Sequence, residues 1–348
     1  MKAIWIEEYG GPEVLRHGTL PTPTPGPGEV LVEVAFAGIN FMDVHTRQGK
    51  YRASRTYPVR LPVVLGMEGS GTVAALGTGV DRFTRGDRVA WCIAWGSYAD
   101  YVVVPAHRLA HLPDGVGDDL AAAGMFQGAT AHYLVHDVGR LTSGDSCLVH
   151  AASGGIGQLL VQLARNAGAT VFATTSTPEK AAVAAHRGAD HVLGYTGFAD
   201  AVRKATAGRG VDVVYDALGV TTLRESLRAT RTRGLVVNYG SVAGSVTDLD
   251  PIELGEAGSL LLTRPRLADH LPDAQTVQRR ADDVFGAVLD GSLELTVAEH
   301  VPFDDVAVAH AALEQRRQIG KAVLDVRGEH GRAIGDGDDH RPTIGEPA

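Results

Sequence analysis

The chain has 348 residues, of which 44% are hydrophobic and 21% charged, and its formal net charge is −9 at pH 7. This length suits two globular domains, and the dispersed negative charge argues against a nucleic-acid partner. The apolar runs are too short to span a bilayer, no signal peptide is evident, and Cys92 and Cys147 imply no disulfide framework, so we expect a cytoplasmic protein.

Short strands separated by glycine- and proline-rich turns are predicted for residues 1 to about 120. The strands fall at 30–36, 71–76, 88–92 and 98–104. This pattern of short strands and turn residues is typical of an all-β module with tight turns. A helical stretch over 118–136 follows and leads into the second half of the chain, with a possible break around 124–128.

Residues 146–157, SCLVHAASGGIG, predict a strand, a glycine turn and a helix in that order. The turn contains Gly154, Gly155 and Gly157, and Ile156 opens the helical pattern. Glycines let a pyrophosphate approach the backbone, and the free N–H groups at a helix start favour its charge. The usual G-x-G-x-x-G spacing is not kept, because an alanine stands where the first glycine would fall. On its own, the segment fits a strand-to-helix turn of any α/β domain about as well.

Strands and helices alternate after this turn, with short links between them. The further strands are predicted at 170–174, 191–193, 211–216, 235–238 and 259–262. With the strand that begins at Cys147 they make six, and this alternation predicts a parallel doubly wound sheet whose ligand lies at the carboxyl ends of the strands. In that context, dinucleotide binding becomes the better interpretation of the glycine turn.

The end of the second strand of this sheet favours one dinucleotide. NAD sites usually carry an acidic residue there for the ribose hydroxyls, whereas this strand ends in Thr174, Thr175 and Ser176, with Lys180 one turn into the next helix. Hydroxyls and a cation suit a 2′-phosphate, which a carboxylate would repel, so we predict NADPH over NADH. Alternatively, Thr177 caps that helix and Lys180 is an exposed helix charge; both interpretations can hold at once.

The C-terminal part is predicted to contain helices over 274–289 and 304–315 and strands over 295–297 and 322–326. The last strand has no room in the parallel sheet, and we expect it to return to the β module, which makes the nucleotide-binding domain an insertion. The predicted division is therefore 1–124 with 266–328 for the β module and 125–265 for the nucleotide-binding domain. Residues 329–348 lack apolar periodicity and are expected to be a disordered tail.

Six short motifs, in their order and spacing, resemble the zeta-crystallin-type quinone oxidoreductases, zinc-free members of the medium-chain dehydrogenase/reductase superfamily. The motifs are YGGPEVL at 9–15, GINFMD at 38–43, GDRV at 86–89, AASGGIG at 151–157, VYD at 214–216 and GSLLLTRP at 258–265. The resemblance runs from residue 1 to about 327. It implies an α/β fold in which a GroES-like β module is joined to a Rossmann doubly wound parallel sheet, with nicotinamide and substrate in the cleft between them.

The residues that bind zinc in other members of the superfamily are missing. Asn40 has no neighbouring cysteine, and Met67 stands where the G-H-E run has histidine, so we expect no metal. Without a Lewis acid, negative charge that develops during hydride transfer must rest on hydrogen bonds. A quinone or an α,β-unsaturated carbonyl delocalises that charge, and a tyrosine with a pKa of about 10, or water, can then supply the proton.

The resemblance assigns two residues to the reacting centre. Asn40 would hydrogen-bond the cofactor near its ribose or nicotinamide, whereas Asp43 is interpreted as a helix cap. Tyr51 matches the position of a proton-donating tyrosine in related enoyl thioester reductases. Packing of this ring under a loop is an equally good interpretation. The predicted catalytic residues are Tyr51 and Asn40.

Further cofactor contacts also follow from the resemblance. Thr130 matches a threonine at the nicotinamide ribose, Tyr195 an aromatic residue over the adenine side of the phosphate pocket, and Lys321 a lysine near the phosphate bridge. Gln127 departs from the pattern, because some quinone reductases carry lysine there. The complete predicted cofactor set is Asn40, Thr130, Gly154, Gly155, Ile156, Gly157, Ser176, Lys180, Tyr195 and Lys321.

These residues predict hydride transfer from NADPH to a small-molecule quinone or other conjugated carbonyl. One alternative is an enone, enal or enoyl thioester reductase in a biosynthetic pathway, which Tyr51 supports, although no basic patch for coenzyme A is obvious. Another is a non-catalytic NADPH-binding protein. We also expect a homodimer, because residues 259–263, SLLLT, predict an apolar edge strand that a second copy could cover. The helix over 274–289 could cover it instead.

Overall fold

The computed structural model describes residues 1–315 and 319–328, which form a six-stranded sheet, a seven-stranded sheet and a small three-stranded sheet. The strands are β1 Lys2–Ile6, β2 Arg16–Thr19, β3 Glu29–Gly38, β4 Val63–Val64, β5 Glu68–Leu76, β6 Arg88–Cys92, β7 Tyr101–Pro105, β8 Leu109–His111, β9 Ser146–Val149, β10 Thr170–Thr174, β11 His191–Leu193, β12 Val211–Asp216, β13 Thr230–Asn238, β14 Leu261–Thr263, β15 Val297–Pro302 and β16 Lys321–Asp325. The helices are α1 Phe41–Arg47, α2 Asp118–Tyr133, α3 Gly155–Asn166, α4 Pro178–His186, α5 Phe198–Ala205, α6 Leu223–Ala229, α7 Ile252–Glu256, α8 Ala274–Leu289 and α9 Val306–Glu314.

The seven-stranded sheet forms the β module and has the order β15-β16-β3-β5-β6-β8, with β7 paired to β3. Strand β3 supplies its centre, because Val30, Val32 and Val34 alternate along the strand and are all buried. Strand β16 pairs antiparallel with β3, so the end of the chain returns to this sheet as the sequence predicts. The strand predicted at 295–297 is misplaced, because β15 begins only at Val297. Leu295 instead packs against the core that contains Leu293 and residues of several helices.

The six-stranded sheet has the order β11-β10-β9-β12-β13-β14, and every neighbouring pair is parallel. The doubly wound parallel sheet predicted from the alternation of elements is therefore confirmed. Strands β9 and β12 are buried at every position, as the centre of a two-sided sheet requires. Between them the strand order reverses, and such a switch point opens a crevice at the carboxyl ends of the strands. The glycine turn lies at this edge.

Helix α2 is continuous through Gly124 and Gly128, so the predicted break is wrong. The two glycines instead allow close packing: a Cβ at Gly124 would meet Phe285, and one at Gly128 would meet Val284, both of α8. Helix α2 also packs against β3 and β5 of the β module and against α3, the helix that follows the glycine turn. It runs across the boundary predicted at residue 124, so the chain has no linker there, and the domain limits remain a prediction.

One hydrophobic core extends over parts of both large sheets. It contains Cys92 and Ala110 from the β module together with Val149 and Leu160 from the nucleotide-binding half. No helix in the described ranges is long and apolar enough to cross a membrane. The predicted disordered tail, 329–348, lies outside the described residues.

Candidate functional site

A cleft of about 930 Å³ lies where the β module meets the carboxyl ends of the parallel strands. It is lined by every residue that the sequence predicts for cofactor binding or catalysis. These are Asn40, Tyr51, Thr130, Gly154, Gly155, Ile156, Gly157, Ser176, Lys180, Tyr195 and Lys321. The cleft thus brings together residues from the two ends and the middle of the chain.

The glycine turn is shaped by close backbone contacts. A Cβ at Gly157 would lie 2.2 Å from the carbonyl oxygen of Ala151, so no larger residue fits there. Gly154 is the N-cap of α3, whose first N–H groups therefore face the cleft without a side-chain cap. A helix N-terminus of this kind favours a bound pyrophosphate.

Gln127 gives independent support for a ligand at the turn. Its Oε1 atom is buried without a hydrogen-bond partner in the described structure, and its carboxamide occupies the space that a Cβ at Gly155 would need. A buried acceptor without a donor is costly, so a ligand hydroxyl or amide that donates a hydrogen bond there would be stabilised. A pyrophosphate cannot donate, but the ribose hydroxyls and the carboxamide of a nicotinamide dinucleotide can. The residues of the turn therefore fit a dinucleotide.

His150, directly before the turn, is a structural residue. It is fully buried, with Nδ1 2.7 Å from the Thr174 hydroxyl and Nε2 2.9 Å from the Ser226 hydroxyl. Burial lowers its pKa to about 4, so the ring is neutral at physiological pH. His150 therefore acts as a packed histidine directly after β9.

The ends of β10 and β11 form one side of the cleft. Ser176 is exposed there, and Thr177 caps α4 by accepting a hydrogen bond from the Lys180 N–H. The Tyr195 hydroxyl accepts a hydrogen bond of 3.2 Å from the N–H of Ala151, which holds the ring beside the glycine turn. The nearest acidic residue after β10 is Glu179 in the first turn of α4, and it does not line the cleft. This side therefore offers hydroxyls and a cation rather than a carboxylate.

A buried ion pair lies at the floor of the cleft, which Lys321 and Asn40 line and behind which Glu68 is buried. The Lys321 Nζ donates to Glu68 Oε2 and to Asn40 Oδ1, both at 2.7 Å, and the Asn40 amide donates to Glu68 Oε2 at 2.9 Å. The Phe126 N–H donates to the other Glu68 oxygen. Burial raises the pKa of Glu68, while the Lys321 charge and the Asn40 donor oppose that effect. Sequence reasoning missed Glu68, although the GME run containing it marks a superfamily motif.

Asn40 and Asp43 form a capping box at the start of α1. The Asn40 N–H donates to Asp43 Oδ2 at 2.8 Å, so the interpretation of Asp43 as a helix cap agrees with the geometry. Burial raises the pKa of Asp43 to about 7. The Lys321 side chain, which the resemblance places near the phosphate bridge, instead contacts Asn40 and Glu68; its neighbour Gly320 forms a β-bridge with Gly154.

Tyr51 lies on the β-module side of the cleft. Its ring makes edge contacts with His45 and Tyr57, with centroid distances of 6.2 and 5.8 Å. Burial raises its pKa to about 12, above the ordinary value assumed from the sequence, although the charge of Arg264 opposes the shift. The hydroxyl is therefore protonated at neutral pH and available as a donor.

Three cations near Tyr51 were not singled out from the sequence. Lys50 donates to the Ser241 hydroxyl at 3.1 Å, Arg264 donates to the Asn238 carbonyl at 2.7 Å, and Arg266 contacts the Thr56 hydroxyl. Arg264 is the penultimate residue of the GSLLLTRP motif, which was the available signal. Thr130, at the base of the cleft, donates to the Phe126 carbonyl within α2.

The described residues contain no group of three or more histidine, cysteine, aspartate or glutamate side chains that could hold a metal ion. Cys92 and Cys147 are both free and buried. Their burial raises the pKa of each thiol, which keeps them protonated.

Comparison with known proteins adds independent information. The Zinc-binding dehydrogenase family model matches residues 155–265, and the Alcohol dehydrogenase GroES-like domain model matches residues 26–114. A quinone oxidoreductase of Pseudomonas aeruginosa is 38% identical, over 93% of this chain and 99% of its own. A 2-haloacrylate reductase of a Burkholderia species is also 38% identical, over 92% of this chain and 98% of its own.

Two solved structures extend the similarity to the fold. The Escherichia coli quinone oxidoreductase complexed with NADPH is 32% identical and has a TM-score of 0.89, covering 93% of this chain and 100% of that chain. A mycobacterial protein complexed with NADPH is 40% identical with a TM-score of 0.89, covering 93% and 99% of the two chains.

Proposed function

Because the chain belongs to the quinone oxidoreductase family of the medium-chain dehydrogenase/reductase superfamily, we propose that it transfers hydride from NADPH to a quinone or another conjugated carbonyl. The family membership and the α/β fold predicted from the motifs are confirmed. The observation that carries the proposal is that the predicted cofactor residues meet in one cleft, while similar proteins were solved with NADPH.

The cofactor would extend along the carboxyl edge of the parallel sheet. The backbone of the turn at Gly154–Gly157 would hold the pyrophosphate, and Ser176 and Lys180 would hold the 2′-phosphate, with Tyr195 beside the adenosine. Thr130 of α2 and Asn40, the N-cap of α1, line the same cleft, and the nicotinamide end would lie beside them. Charge-assisted contacts to the 2′-phosphate are the basis for preferring NADPH over NADH.

When bound, NADPH supplies the hydride and leaves as NADP⁺. The chain's own residues then have three tasks. The Glu68–Lys321–Asn40 group holds the floor of the cleft rigid, because each polar atom of the group is hydrogen-bonded. The Tyr51 hydroxyl donates a proton to the enolate or phenolate oxygen that hydride addition produces, and it regains a proton from solvent. Apolar side chains such as Phe41, Met42 and Leu267 line the cleft and would pack against the cofactor and the substrate.

A second candidate is reduction of an activated carbon–carbon double bond, as the name of the Burkholderia relative indicates for that protein. Both reactions deliver hydride to a conjugated acceptor and differ in the substrate alone. The predicted enoyl thioester reductase and non-catalytic NADPH-binding protein remain further alternatives. Oxidation of NADPH should be measured with a panel of quinones and a panel of enones, enals and 2-haloacrylates. Tight NADPH binding without turnover of any acceptor would refute the enzymatic proposal.

We also propose a homodimer paired through β14, which lies at the edge of the parallel sheet. Of the three leucines in the predicted apolar edge strand, one is exposed: Leu261 is 62% exposed, whereas Leu260 is buried and Leu262 is half-buried. Helix α8, the alternative cover for this strand, packs mainly against α2 and β8 instead. An edge strand carrying an exposed leucine favours pairing with a second copy.

Light scattering at micromolar protein concentration tests the dimer. Leu261→Lys should convert it to a folded monomer, because the charge would be buried in the contact. Val308→Lys, which changes an exposed residue of α9, is the control and should leave the mass unchanged. A parent protein with the mass of one chain would contradict the proposal.

The two free cysteines suit a reducing compartment, so we place the protein in the cytoplasm.

A further inference from the structure

The charge of the cleft is opposite to that of the whole chain. Although the formal net charge is −9, none of the described residues lining the cleft is aspartate or glutamate. Five of them are cations: Lys50, Lys180, Arg264, Arg266 and Lys321. A cleft lined by charges of one sign concentrates ligands of the other sign.

Two of these cations already have a role. Lys180 belongs to the side that suits the 2′-phosphate, and Lys321 is paired with Glu68. The other three, Lys50, Arg264 and Arg266, are accessible from the cleft. Within the described ranges, no carboxylate lies within 4.0 Å of them, and their recorded hydrogen bonds go to neutral oxygens.

Arg264 lies far from the 2′-phosphate side of the cleft. Ser176 follows β10 and Arg264 follows β14, with β9, β12 and β13 between them. Four strand spacings of about 4.8 Å separate the two ends by roughly 19 Å. The cations are instead grouped around Tyr51, whose pKa is influenced by Arg264 and Arg266. They therefore face the substrate end of the cleft.

The three cations also repel one another. The pKa of Lys50 is lowered by burial and by the charge of Arg264, and that of Arg264 by burial and by the charge of Arg266. Asp216, whose charge reaches Arg264, is fully buried and accepts hydrogen bonds from Leu218, Gly219 and Thr222. A ligand anion between the cations would relieve this repulsion.

We propose that the cleft selects conjugated carbonyl substrates that carry their own negative charge, such as an α,β-unsaturated carboxylate or an acid-substituted quinone, with the anionic group held by Arg264, Arg266 and Lys50. This inference rests on the proposed function and narrows its substrate class. Arginine offers paired donors that match a carboxylate or sulfonate, and Tyr51 stands next to the bound group as proton donor.

Binding tests the inference without turnover. The probes are naphthalene-2-sulfonate and its neutral analogue naphthalene-2-sulfonamide, titrated calorimetrically into protein saturated with NADP⁺. The anion should bind roughly ten- to a hundred-fold more tightly, since a charge-assisted contact has about that effect. Arg264→Gln and Arg266→Gln should each remove most of the preference. Arg52→Gln, which removes the same charge from an exposed position outside the cleft lining, is the control and should keep it.

Turnover separates this inference from the proposed function. The values of kcat/KM should be measured for 1,2-naphthoquinone and its 4-sulfonate. The ratio of the value for the sulfonate to the value for the neutral quinone is then compared between the parent and the two cleft variants, because intrinsic quinone reactivity cancels in that comparison. A lower ratio in both cleft variants, together with a loss of selectivity at high salt, is the expected result. Equal affinity of the parent for the two naphthalene probes would overturn the inference even if both quinones are reduced. A kcat/KM ratio that neither Arg264→Gln nor Arg266→Gln changes would overturn it as well.

Discussion

Replacing Glu68 by glutamine tests whether the ion pair at the cleft floor is a matched unit. Glu68 and Lys321 have side-chain exposures of 0% and 2%. In E68Q, the buried ammonium group of Lys321 would therefore have only uncharged hydrogen-bond partners. Breaking a buried pair from one side typically costs about 3–5 kcal/mol. The lower end applies here, because Asn40 Oδ1 still accepts from Lys321. A loss of about 3 kcal/mol should lower the melting temperature by roughly 4 °C in a chain of this length.

The second variant of this experiment, E68Q with K321M, removes both charges. Because neutral replacement of a buried pair is often nearly cost-free, the double variant should recover more than half of the loss. E7Q is the matched control: it breaks an exposed pair with Arg16 at 3.2 Å and should cost at most about 1 kcal/mol. Melting is followed by tryptophan fluorescence without cofactor. A double variant as unstable as E68Q, or an E68Q as stable as E7Q, would refute the reasoning.

Three further predictions concern the cofactor, the metal and pH. Lys180→Ala should weaken NADPH binding roughly ten- to a hundred-fold and leave NADH binding unchanged, as measured by nicotinamide fluorescence; equal affinity of the parent for both cofactors would contradict this. Purified protein should contain no stoichiometric zinc and keep its activity after chelation, and one tightly held zinc per chain in elemental analysis would refute that expectation. Because the pKa of Asp43 is about 7 in the folded chain and 3.8 ordinarily, its folded state binds a proton that the unfolded state releases between these values. This contribution is complete below pH 3.8 and is lost as pH rises to 7, by at most about 1.4 kcal/mol per pH unit. Asp43→Asn should therefore flatten the fall of the unfolding free energy over that range in urea titrations, and an unchanged slope would count against the shift.

Local patterns were enough to predict the nucleotide-binding half. The turn at Gly154–Gly157 and strand β10 with the hydroxyl residues after it are close together in sequence, and the alternation of elements dictates a parallel sheet. The motifs gave the family as well. Position in a motif also predicted that Tyr51 and Lys321 lie in one cleft with the glycine turn, although it could not give the hydrogen-bond partners of Lys321.

The contacts that the sequence did not predict join segments that are far apart along the chain. Glu68 and Lys321 are 253 positions apart, and nothing in either local sequence indicates that they pair. The cations around Tyr51 likewise come from two loops that meet only in the folded chain. Gly124 was misinterpreted for the same reason: its role depends on Phe285 of a helix far along the chain, whereas intrinsic propensity treats glycine as a breaker.

The unbroken helix α2 and the core shared by both large sheets have a consequence for cooperativity. Separable domains melt independently when few apolar contacts cross their boundary. Here Cys92 and Ala110 of one sheet pack in the same core as Val149 and Leu160 of the other. Residues 125–265 excised alone would begin inside a helix and expose this core to water. We therefore expect the two halves, distinct in topology and in ligand contacts, to unfold in a single transition.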